Sequence, residues 1–305
     1  MDTQNLKAFV AVVNQGSFSE AAEQLHLTQS ATSKRVANLE HQLNAPLFDR
    51  IGRSIGLTEA GKALLPRARE ILQSVDDTQQ MIDDLSGQVR GQLKVATSHH
   101  IGLHRLPKIL QRFAQAYPDV QLQLQFQDSE KANQAVIKGE VDMAIITLSD
   151  KPHTSLNQQI VWPDPLDIVV SPLHPLAQLT NITIDDLSQY PAVLPERHTH
   201  TTKLLENQFN LQGVNLNCSM STNFMETIKM LLSVGLGWGI LPRTISQSKS
   251  ISDTELEKLS CLKVKGLTLE RQLGFVTHKG RSPSNAQSHF VALLTEPRHR
   301  SITRE

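Results

Sequence analysis

The sequence predicts three consecutive parts: an N-terminal winged helix-turn-helix, a long linker helix, and an α/β C-terminal half made of two lobes. Two short, capped, amphipathic segments stand close together near the N-terminus, as in a helix-turn-helix. A heptad pattern follows and indicates one long helix. Beyond about residue 90, short apolar strands alternate with helical segments, which is typical of α/β domains.

The helix-turn-helix is predicted from its capping residues. Ser17 and Glu20 have the S-x-x-E spacing of a capping box, so a helix should begin near Phe18. Thr28 is the expected N-cap of a second helix. Apolar residues three and four positions apart would anchor that second helix in a small core: Val36, Leu39 and Leu43.

The polar face of this second helix carries groups suited to reading DNA bases. Near the helix start it presents Gln29, Ser30, Ser33, Lys34 and Ala37. Gln pairs with adenine, hydroxyls bond to several bases, and a methyl group contacts thymine. The alternative is an ordinary amphipathic helix with a solvated polar face. The segments that follow favour the DNA-reading interpretation.

A β-hairpin wing is predicted after this helix, with Gly52 and Arg53 at its tip. Arg53 would reach a phosphate or a narrow minor groove. Between residues 34 and 69 there are seven Lys and Arg against three Asp and Glu, a local excess of four positive charges. Such a modest basic patch suits a phosphate contact surface. The winged domain is predicted to span residues 1–58.

A long helix should follow Thr58, within a linker spanning residues 59–90. Its apolar positions repeat in steps of four and three, which predicts a seam that pairs with a second copy of the chain. Packing of this helix on its own domain is the less favoured alternative, and Pro66 is expected to kink its first turns. The seam consists of Leu64, Ala68, Ile71, Val75, Thr78, Ile82 and Leu85.

Residues 91–305 are predicted to form the two α/β lobes, joined by two crossovers with a cleft between them. Lobe I would comprise about 91–161 and 268–305, and lobe II about 162–267. After a first strand at Leu93 to Thr97, a helix is expected through Leu106 and Phe113, ending at Tyr117 and Pro118.

Composition excludes several classes of protein. Lys plus Arg and Asp plus Glu both number 30, so the chain as a whole is not basic. The N-terminus lacks a signal peptide, and no apolar run reaches the length of about 18 residues that a membrane span needs, so a cytosolic location is expected. Cys218 and Cys261 are too few for a disulfide framework, and buried inert thiols are favoured over a redox pair.

The order of motifs resembles the LysR-type transcriptional regulators along essentially the whole chain. The resemblance rests on FVAVVNQGSFSEAAEQLHLTQSATSKRVANLEHQLNAPLFDR, GLTEAGKALLPRAREIL, YPDVQLQL, GEVDMAII and SVGLGWGILP. It implies a winged-helix DNA-binding domain, a dimerising linker helix, an effector domain like the periplasmic binding proteins, and a tetramer. Gln29, Ser30, Ser33 and Lys34 would contact DNA, with Thr28 and Arg53 on the backbone or wing. Ser30 and Lys34 depart from the common proline and arginine, and Lys cannot form the two-pronged contact of Arg with guanine.

The resemblance also implies an effector site between the lobes. Hydroxyl and amide groups near helix starts would suit a carboxylate or another small anion, although Thr199 and Thr222 would alternatively serve only as helix caps. The implied residues are Ser98, His99, His100, Asp128, Thr147, His198, Thr199, His200, Thr222 and Asn223.

The four histidines of this set leave three interpretations open. Closure of the lobes would bring them together to bind a transition metal, to sense pH, or to contact an anion; solvated loop residues are the alternative. No carboxylate or thiolate is placed by spacing to complete a metal site, so no metal or cofactor is assigned. An enzyme is disfavoured because G-x-S-x-G, Walker and HExxH motifs are absent from the sequence. A purely architectural DNA-binding protein remains a second alternative.

Overall fold

A computed structural model of the chain describes residues 1–51, 54–84, 87–247 and 258–296. These residues form two compact units: an N-terminal unit of Met1–Gln88 with which Lys138–Glu140 is grouped, and a C-terminal unit of Val89–Ile137 and the residues from Val141 onward. The N-terminal unit contains α1 (Thr3–Gln15), α2 (Phe18–Gln24), α3 (Gln29–Leu43), β1 (Phe48–Ile51), β2 (Ser54–Leu57) and α4 (Glu59–Asp84).

The predicted winged helix-turn-helix is confirmed. The Ser17 hydroxyl accepts from the Glu20 amide at the start of α2, and the Thr28 hydroxyl accepts from the Ala31 amide at the start of α3. Only one of the two hydrogen bonds of the predicted capping box is present among the described residues. The Glu20 amide donates to the Ser17 hydroxyl, but the Glu20 side chain does not accept from the Ser17 amide. β1 and β2 pair in antiparallel register, as predicted for the wing.

The apolar seam of the long helix α4 is buried in its first half and exposed in its second half. Ala68 is fully buried against Leu6, Phe9 and Leu39 of the same unit, and Leu64 and Ile71 pack beside it. The expectation that the whole seam faces a second copy is therefore wrong for its first half. Further along α4 the apolar side chains are exposed: 43% for Val75, 60% for Met81 and 56% for Ile82. α4 continues through Pro66, and Leu85 lies outside the described residues.

The C-terminal unit alternates strands and helices, as predicted. It contains β3 (Gly91–Thr97), α5 (His99–His104), α6 (Pro107–Ala116), β4 (Val120–Phe126), α7 (Ser129–Lys138), β5 (Met143–Thr147), β6 (Leu156–Val170), α8 (Ile184–Ser188), β7 (Ala192–Leu194), α9 (His200–Leu211), β8 (Cys218–Ser221), α10 (Met225–Ser233), β9 (Trp238–Pro242), α11 (Arg243–Ser246), β10 (Ser260–Leu262), β11 (Leu269–His278) and α12 (Asn285–Thr295).

Two long antiparallel strands, β6 and β11, cross between two lobes. Lobe I has the strand order β4-β3-β5-β11-β6, and lobe II has the order β6-β9-β7-β8, with β10 on the other edge of β6. β3 pairs in parallel with β4 and β5, and β7 pairs in parallel with β8 and β9. The carboxyl ends of β3 and β5 therefore meet at one edge, where parallel α/β sheets bind ligands.

Each lobe has an apolar core on both faces of its sheet. Phe113 meets Phe290 edge to face in lobe I, and Phe209 stacks on Trp238 in lobe II, with ring centroids 4.9 and 5.9 Å apart. In the segment GLGWG, Gly237 has φ +144°, and a β-carbon there would clash with the Pro191 carbonyl. The close packing of the Pro191 backbone therefore explains why position 237 is a glycine.

Two sequence-based expectations about the C-terminal unit are wrong. The first predicted helix is split into α5 and α6, because the chain leaves α5 at Arg105 and Pro107 starts a new helix. Cys261 is exposed, and Cys218 is half-buried. Loss of water around the sulfur atom still raises the pKa of both thiols, which leaves them less thiolate and less reactive.

Within the described ranges, none of the helices combines the length and the apolar character that crossing a membrane requires.

Candidate DNA-reading surface and effector cleft

The N-terminal part of α3 presents the predicted DNA-reading side chains. Gln29, Ser30 and Lys34 are exposed, and Ser33 is half-buried. The Gln29 amide nitrogen donates to the Ser33 hydroxyl over 3.2 Å, one turn further along α3. The hydroxyls of Thr28 and Ser30 lie 3.1 Å apart. These contacts hold the polar groups in place at the helix start. Arg53 lies outside the described residues.

Glu40, on the inner side of α3, ties that helix to the wing. Its Oε1 atom accepts from the backbone amides of Leu47 at 2.7 Å and of Phe48 at 3.4 Å. Leu47 is buried, and Phe48 begins β1. The carboxylate therefore satisfies amide groups where the chain turns from α3 into the hairpin, and so it orients the wing relative to the polar face of α3.

A cavity of about 400 Å³ lies between the two lobes of the C-terminal unit. Its size is within the range of small-molecule sites. His198 is the one predicted effector residue that does not line this cavity; it is exposed, and its Nδ1 lies 3.2 Å from a carboxylate oxygen of Glu196. The other nine predicted effector residues all line it: Ser98, His99, His100, Asp128, Thr147, Thr199, His200, Thr222 and Asn223.

The floor of the cavity is organised by Arg271, whose side chain is 2% exposed. Its Nε donates to Asp164 at 2.7 Å, its Nη1 to the Thr201 hydroxyl at 2.7 Å, and its Nη2 to Nε2 of His100 at 2.8 Å. Thr201 belongs to α9 of lobe II and His100 to α5 of lobe I. One guanidinium on a crossover strand thus contacts both lobes and the cavity between them.

The buried charges around Arg271 do not balance. Asp164 is 1% exposed and also accepts from Arg105 Nη2 at 3.4 Å. Arg105 is buried as well, and its guanidinium lies 6.0 Å from the centroid of the Trp162 ring. Two guanidinium groups therefore share one carboxylate. Buried charges are usually paired, and this cluster carries one positive charge in excess next to the cavity.

His100 is neutral in this cluster. Burial, and then the positive charge of Arg271, hold the pKa of His100 well below its usual value. Arg271 can only donate, so Nε2 of His100 is the acceptor, and the ring proton sits on Nδ1, 3.3 Å from the Ser98 hydroxyl. Because His100 is locked as a neutral acceptor, the positive charge stays on the arginines.

The mouth of the cavity is aromatic. The His99 ring lies between Phe126 of lobe I and Phe224 of lobe II, with centroid distances of 5.3 and 5.1 Å. Phe126 and Phe224 are 47% and 51% exposed. Large apolar rings exposed beside a cavity are candidate contacts for an apolar part of a ligand.

Carboxylates also line the mouth, and two of them, Asp128 and Glu130, lie close to histidines of lobe II. Glu130 accepts from the backbone amide of His200 across the cleft at 2.9 Å. Asp128 pairs with Lys131 at 3.2 Å. The ligating atoms of Asp128, Glu130 and His198 lie within 4.8 Å of one another. Spacing in the sequence places no carboxylate beside these histidines, whereas folding brings together residues 70 positions apart.

A second contact between the lobes joins α5 to α10. Nε2 of His104 lies 3.1 Å from Oε1 of Glu226, and this hydrogen bond lowers the pKa of the Glu226 carboxyl. With the contact of Glu130 to α9, it holds the two lobes in the arrangement that encloses the cavity.

Sequence reasoning missed Arg271, Phe126 and Phe224 as cavity-lining residues. A signal for Arg271 was present, because it alternates with the apolar residues Leu269 and Leu273 on the inward face of a predicted strand. A charged residue at such a position needs a buried partner. Only the fold identifies that partner and the cavity.

Together, the N-terminal unit and the cleft define a class: a winged-helix DNA-binding protein that carries a two-lobed ligand-binding domain like the periplasmic binding proteins. The family described as bacterial regulatory helix-turn-helix protein, lysR family, matches residues 3–62, and the LysR substrate binding domain matches residues 86–297. The chain belongs to the LysR family of DNA-binding transcriptional regulators, which are not enzymes.

Similar proteins agree with this assignment. A probable RuBisCO transcriptional regulator of Cyanidioschyzon merolae is 32% identical over 290 residues, which is 93% of this chain and 94% of the relative. An HTH-type transcriptional regulator in the ibpB-leuC intergenic region of Azotobacter vinelandii is 62% identical over 107 residues, covering 35% of this chain and 74% of the relative.

Solved structures share the fold. Full-length OxyR from Pseudomonas aeruginosa matches with a TM-score of 0.69 and 20% identity, covering 97% of this chain and 96% of that chain. Full-length CbnR complexed with its target DNA matches with a TM-score of 0.63 and 19% identity, covering 96% and 99%.

Proposed function

We propose that this regulator reads its operator with the N-terminal part of α3 and responds to a small anion bound between the lobes. Gln29, Ser30, Ser33 and Lys34 enter the major groove and contact base edges and phosphates, with Thr28 on the backbone and Arg53 on the wing. The single observation that carries the regulatory part is Arg271, a buried cation that faces a cavity between two lobes.

The proposed effector contacts are those nine cavity-lining residues, Arg271, and His198 at the mouth. The sequence motifs divide the chain into a DNA-binding domain at 1–58, a linker at 59–90 and an effector domain at 91–305. Lobe I takes about 91–161 and 268–305, and lobe II about 162–267. Because its partner is chromosomal DNA, the protein works in the cytoplasm.

Dimerisation through the second half of α4 completes the proposal. The exposed apolar side chains of Val75, Met81 and Ile82 support pairing of two linker helices. Two such dimers form a tetramer, in which recognition helices are spaced about one DNA turn apart. Closure of the lobes on the effector changes how the dimers pair and so changes the spacing of half-sites.

Base reading is tested by fluorescence anisotropy of operator and random duplexes at matched salt. Gln29→Ala and Ser33→Ala should each weaken operator binding by about tenfold, while binding to random duplexes changes little, because base contacts and not phosphate contacts are removed. Gln42→Ala, at the exposed C-terminal end of α3, is the matched control and should change neither. Equal loss on both duplexes would contradict base reading.

A further inference from the structure

The charges around the cavity are arranged by depth. The floor holds the buried guanidinium of Arg271, which donates to the Thr201 hydroxyl, and Thr147 also lines the cavity. These two threonines are 4% and 6% exposed. The excess positive charge of the Arg105, Arg271 and Asp164 cluster therefore stands at the closed end. A buried unpaired charge is costly unless an opposite charge reaches it. The chemical group that suits the floor is an anion.

Arg271 has hydrogen-bonding capacity left for such an anion. Three of its guanidinium N–H groups are engaged, by Asp164, His100 and Thr201. A guanidinium carries five N–H groups, so two stay available among the described contacts. Of the three acceptors only Asp164 is charged, and a carboxylate head outcompetes the neutral oxygen of Thr201 for the same donor.

The mouth carries the opposite charge. Its lining includes the carboxylates of Asp128, Glu130 and Glu196, with Lys131 as the compensating cation. The Glu196 side chain is 51% exposed, whereas the Asp128 side chain is 9% exposed and is paired with Lys131. A second negative charge on a ligand would meet like charges there. A neutral or positively charged end would not.

Between floor and mouth the cavity offers apolar surface. Phe126, His99 and Phe224 form the aromatic group at the mouth, and Met225 and Pro195 also line the wall. An alkyl or aromatic body of a ligand would be covered there by rings from both lobes. Ligand occupancy would then favour the arrangement in which Phe126 and Phe224 stand on either side of His99.

We propose that the effector is a small molecule with a single negatively charged group: one carboxylate-like head bound by Arg271 and Thr201, an apolar body against Phe126 and Phe224, and a far end that is neutral or cationic. This inference rests on the proposed function of the cleft and names the chemical class of its ligand. It excludes molecules with negative charge at both ends.

The expected exclusion of ligands with negative charge at both ends is called the charge rule. Three acids with six carbons each test it on the full-length chain: hexanoate, adipate and 6-aminohexanoate. They differ only in the far end, which is methyl, carboxylate or ammonium. Isothermal titration at matched ionic strength should show hexanoate and 6-aminohexanoate binding at least about tenfold more tightly than adipate, because adipate places a carboxylate at the acidic mouth. Equal or tighter binding of adipate would overturn the inference.

Arg271→Gln tests the floor, with Arg105→Gln as its matched control. Each substitution removes one buried guanidinium and leaves Asp164 paired with the other, so both variants keep a balanced cluster. Arg271→Gln should weaken hexanoate binding by about tenfold or more. Arg105→Gln should weaken it less than about threefold, because Arg105 does not line the cavity. Similar losses in both variants would show that only the net charge matters and would overturn the role of Arg271.

Glu196→Gln tests the mouth without touching the floor. Its backbone amide contact with Asn223 does not involve the carboxylate. In this variant the affinities for hexanoate and adipate should become more similar, mainly because adipate binds more tightly. If the difference in affinity between hexanoate and adipate were unchanged both in this variant and in Asp128→Asn, the charge rule would be overturned.

Failure of the inference and failure of the proposed function give different results. If hexanoate binding survives Arg271→Gln but is lost in Thr147→Val, an anion binds in the cleft by other contacts, and only the inference falls. If none of the three acids binds, the inference falls. The DNA-reading proposal then still depends on whether Gln29→Ala weakens operator binding.

Discussion

Nη2 of Arg271 lies 2.8 Å from Nε2 of His100, although 171 positions separate the two residues in the chain. This contact joins the crossover strand β11 to the first helix of lobe I. Burial and then this contact keep His100 neutral, since a protonated imidazole would be poorly solvated here and has no acceptor to offer a guanidinium. The interior of the C-terminal unit is therefore sensitive to pH.

The first prediction concerns this pH dependence. The folded-state pKa of His100 is held well below the unfolded value near 6.5. As pH falls through 6.5, the unfolded chain binds a proton that the native chain does not, so stability decreases. Between about pH 7.5 and about pH 5.5 this group should lower the free energy of unfolding by about 1 kcal/mol. His100→Gln, which can still accept from Arg271, should remove that loss.

Urea unfolding followed by tryptophan fluorescence measures this effect. The chain has two tryptophans, Trp162 and Trp238, and both lie in the C-terminal unit, so the signal reports that unit alone. Burial also lowers the pKa of His174, which contributes equally in both proteins. His153→Gln, an exposed histidine, is the control. A pH dependence that is the same in wild type and His100→Gln would contradict the prediction.

Glu40→Ala should loosen the wing. The substitution leaves the amides of Leu47 and Phe48 without their acceptor and should destabilise the N-terminal unit by about 2 kcal/mol. Calorimetry of the full chain would resolve this as a lower melting temperature for the transition that tryptophan fluorescence does not report. Glu23→Ala, at an exposed helical position, should leave that transition in place. An equal effect of both substitutions would argue against a role for Glu40 in anchoring the wing.

Gly61→Ala should be destabilising, although alanine is normally the better helix former by about 1 kcal/mol. A β-carbon at Gly61 would clash with the Leu47 carbonyl oxygen and the Leu57 side chain, so α4 could not approach the wing as closely. We expect a loss of about 2 kcal/mol from the N-terminal unit. Gly56→Ala, where a β-carbon meets nothing within 4 Å, should change stability little. A stabilised Gly61→Ala protein would refute the close packing.

Ile82→Glu should weaken dimerisation without unfolding the N-terminal unit. The Ile82 side chain is 56% exposed in the single chain, so a charge there costs little until two linker helices pair. Burying that charge in a dimer should raise the dissociation constant by about tenfold or more. Sedimentation equilibrium measures the change, and Gln79→Glu adds the same charge at a polar position. Unchanged association of the Ile82→Glu protein would place the dimer contact elsewhere.

The sequence by itself determined the local elements and their order. Ser17 and Thr28 begin helices because a hydroxyl satisfies a free amide two or three residues away, and this requires no distant partner. The change from heptad spacing to alternating strands marks the passage to the α/β lobes for the same local reason. Most of the predicted effector residues line the cavity between the lobes, since the resemblance to LysR regulators points to strand ends and helix starts.

The tertiary structure alone decided which long-range partners these elements meet. Periodicity shows that α4 has an apolar stripe, yet only packing shows that Ala68 is covered by its own unit while Ile82 is not. In the same way, Arg271 and Asp164 are distant in the sequence until the antiparallel pairing of β11 with β6 places them side by side, 2.7 Å apart. The spacing of residues in the sequence shows the periodicity within one helix or strand. Burial and charge pairing depend on contacts between different helices and strands.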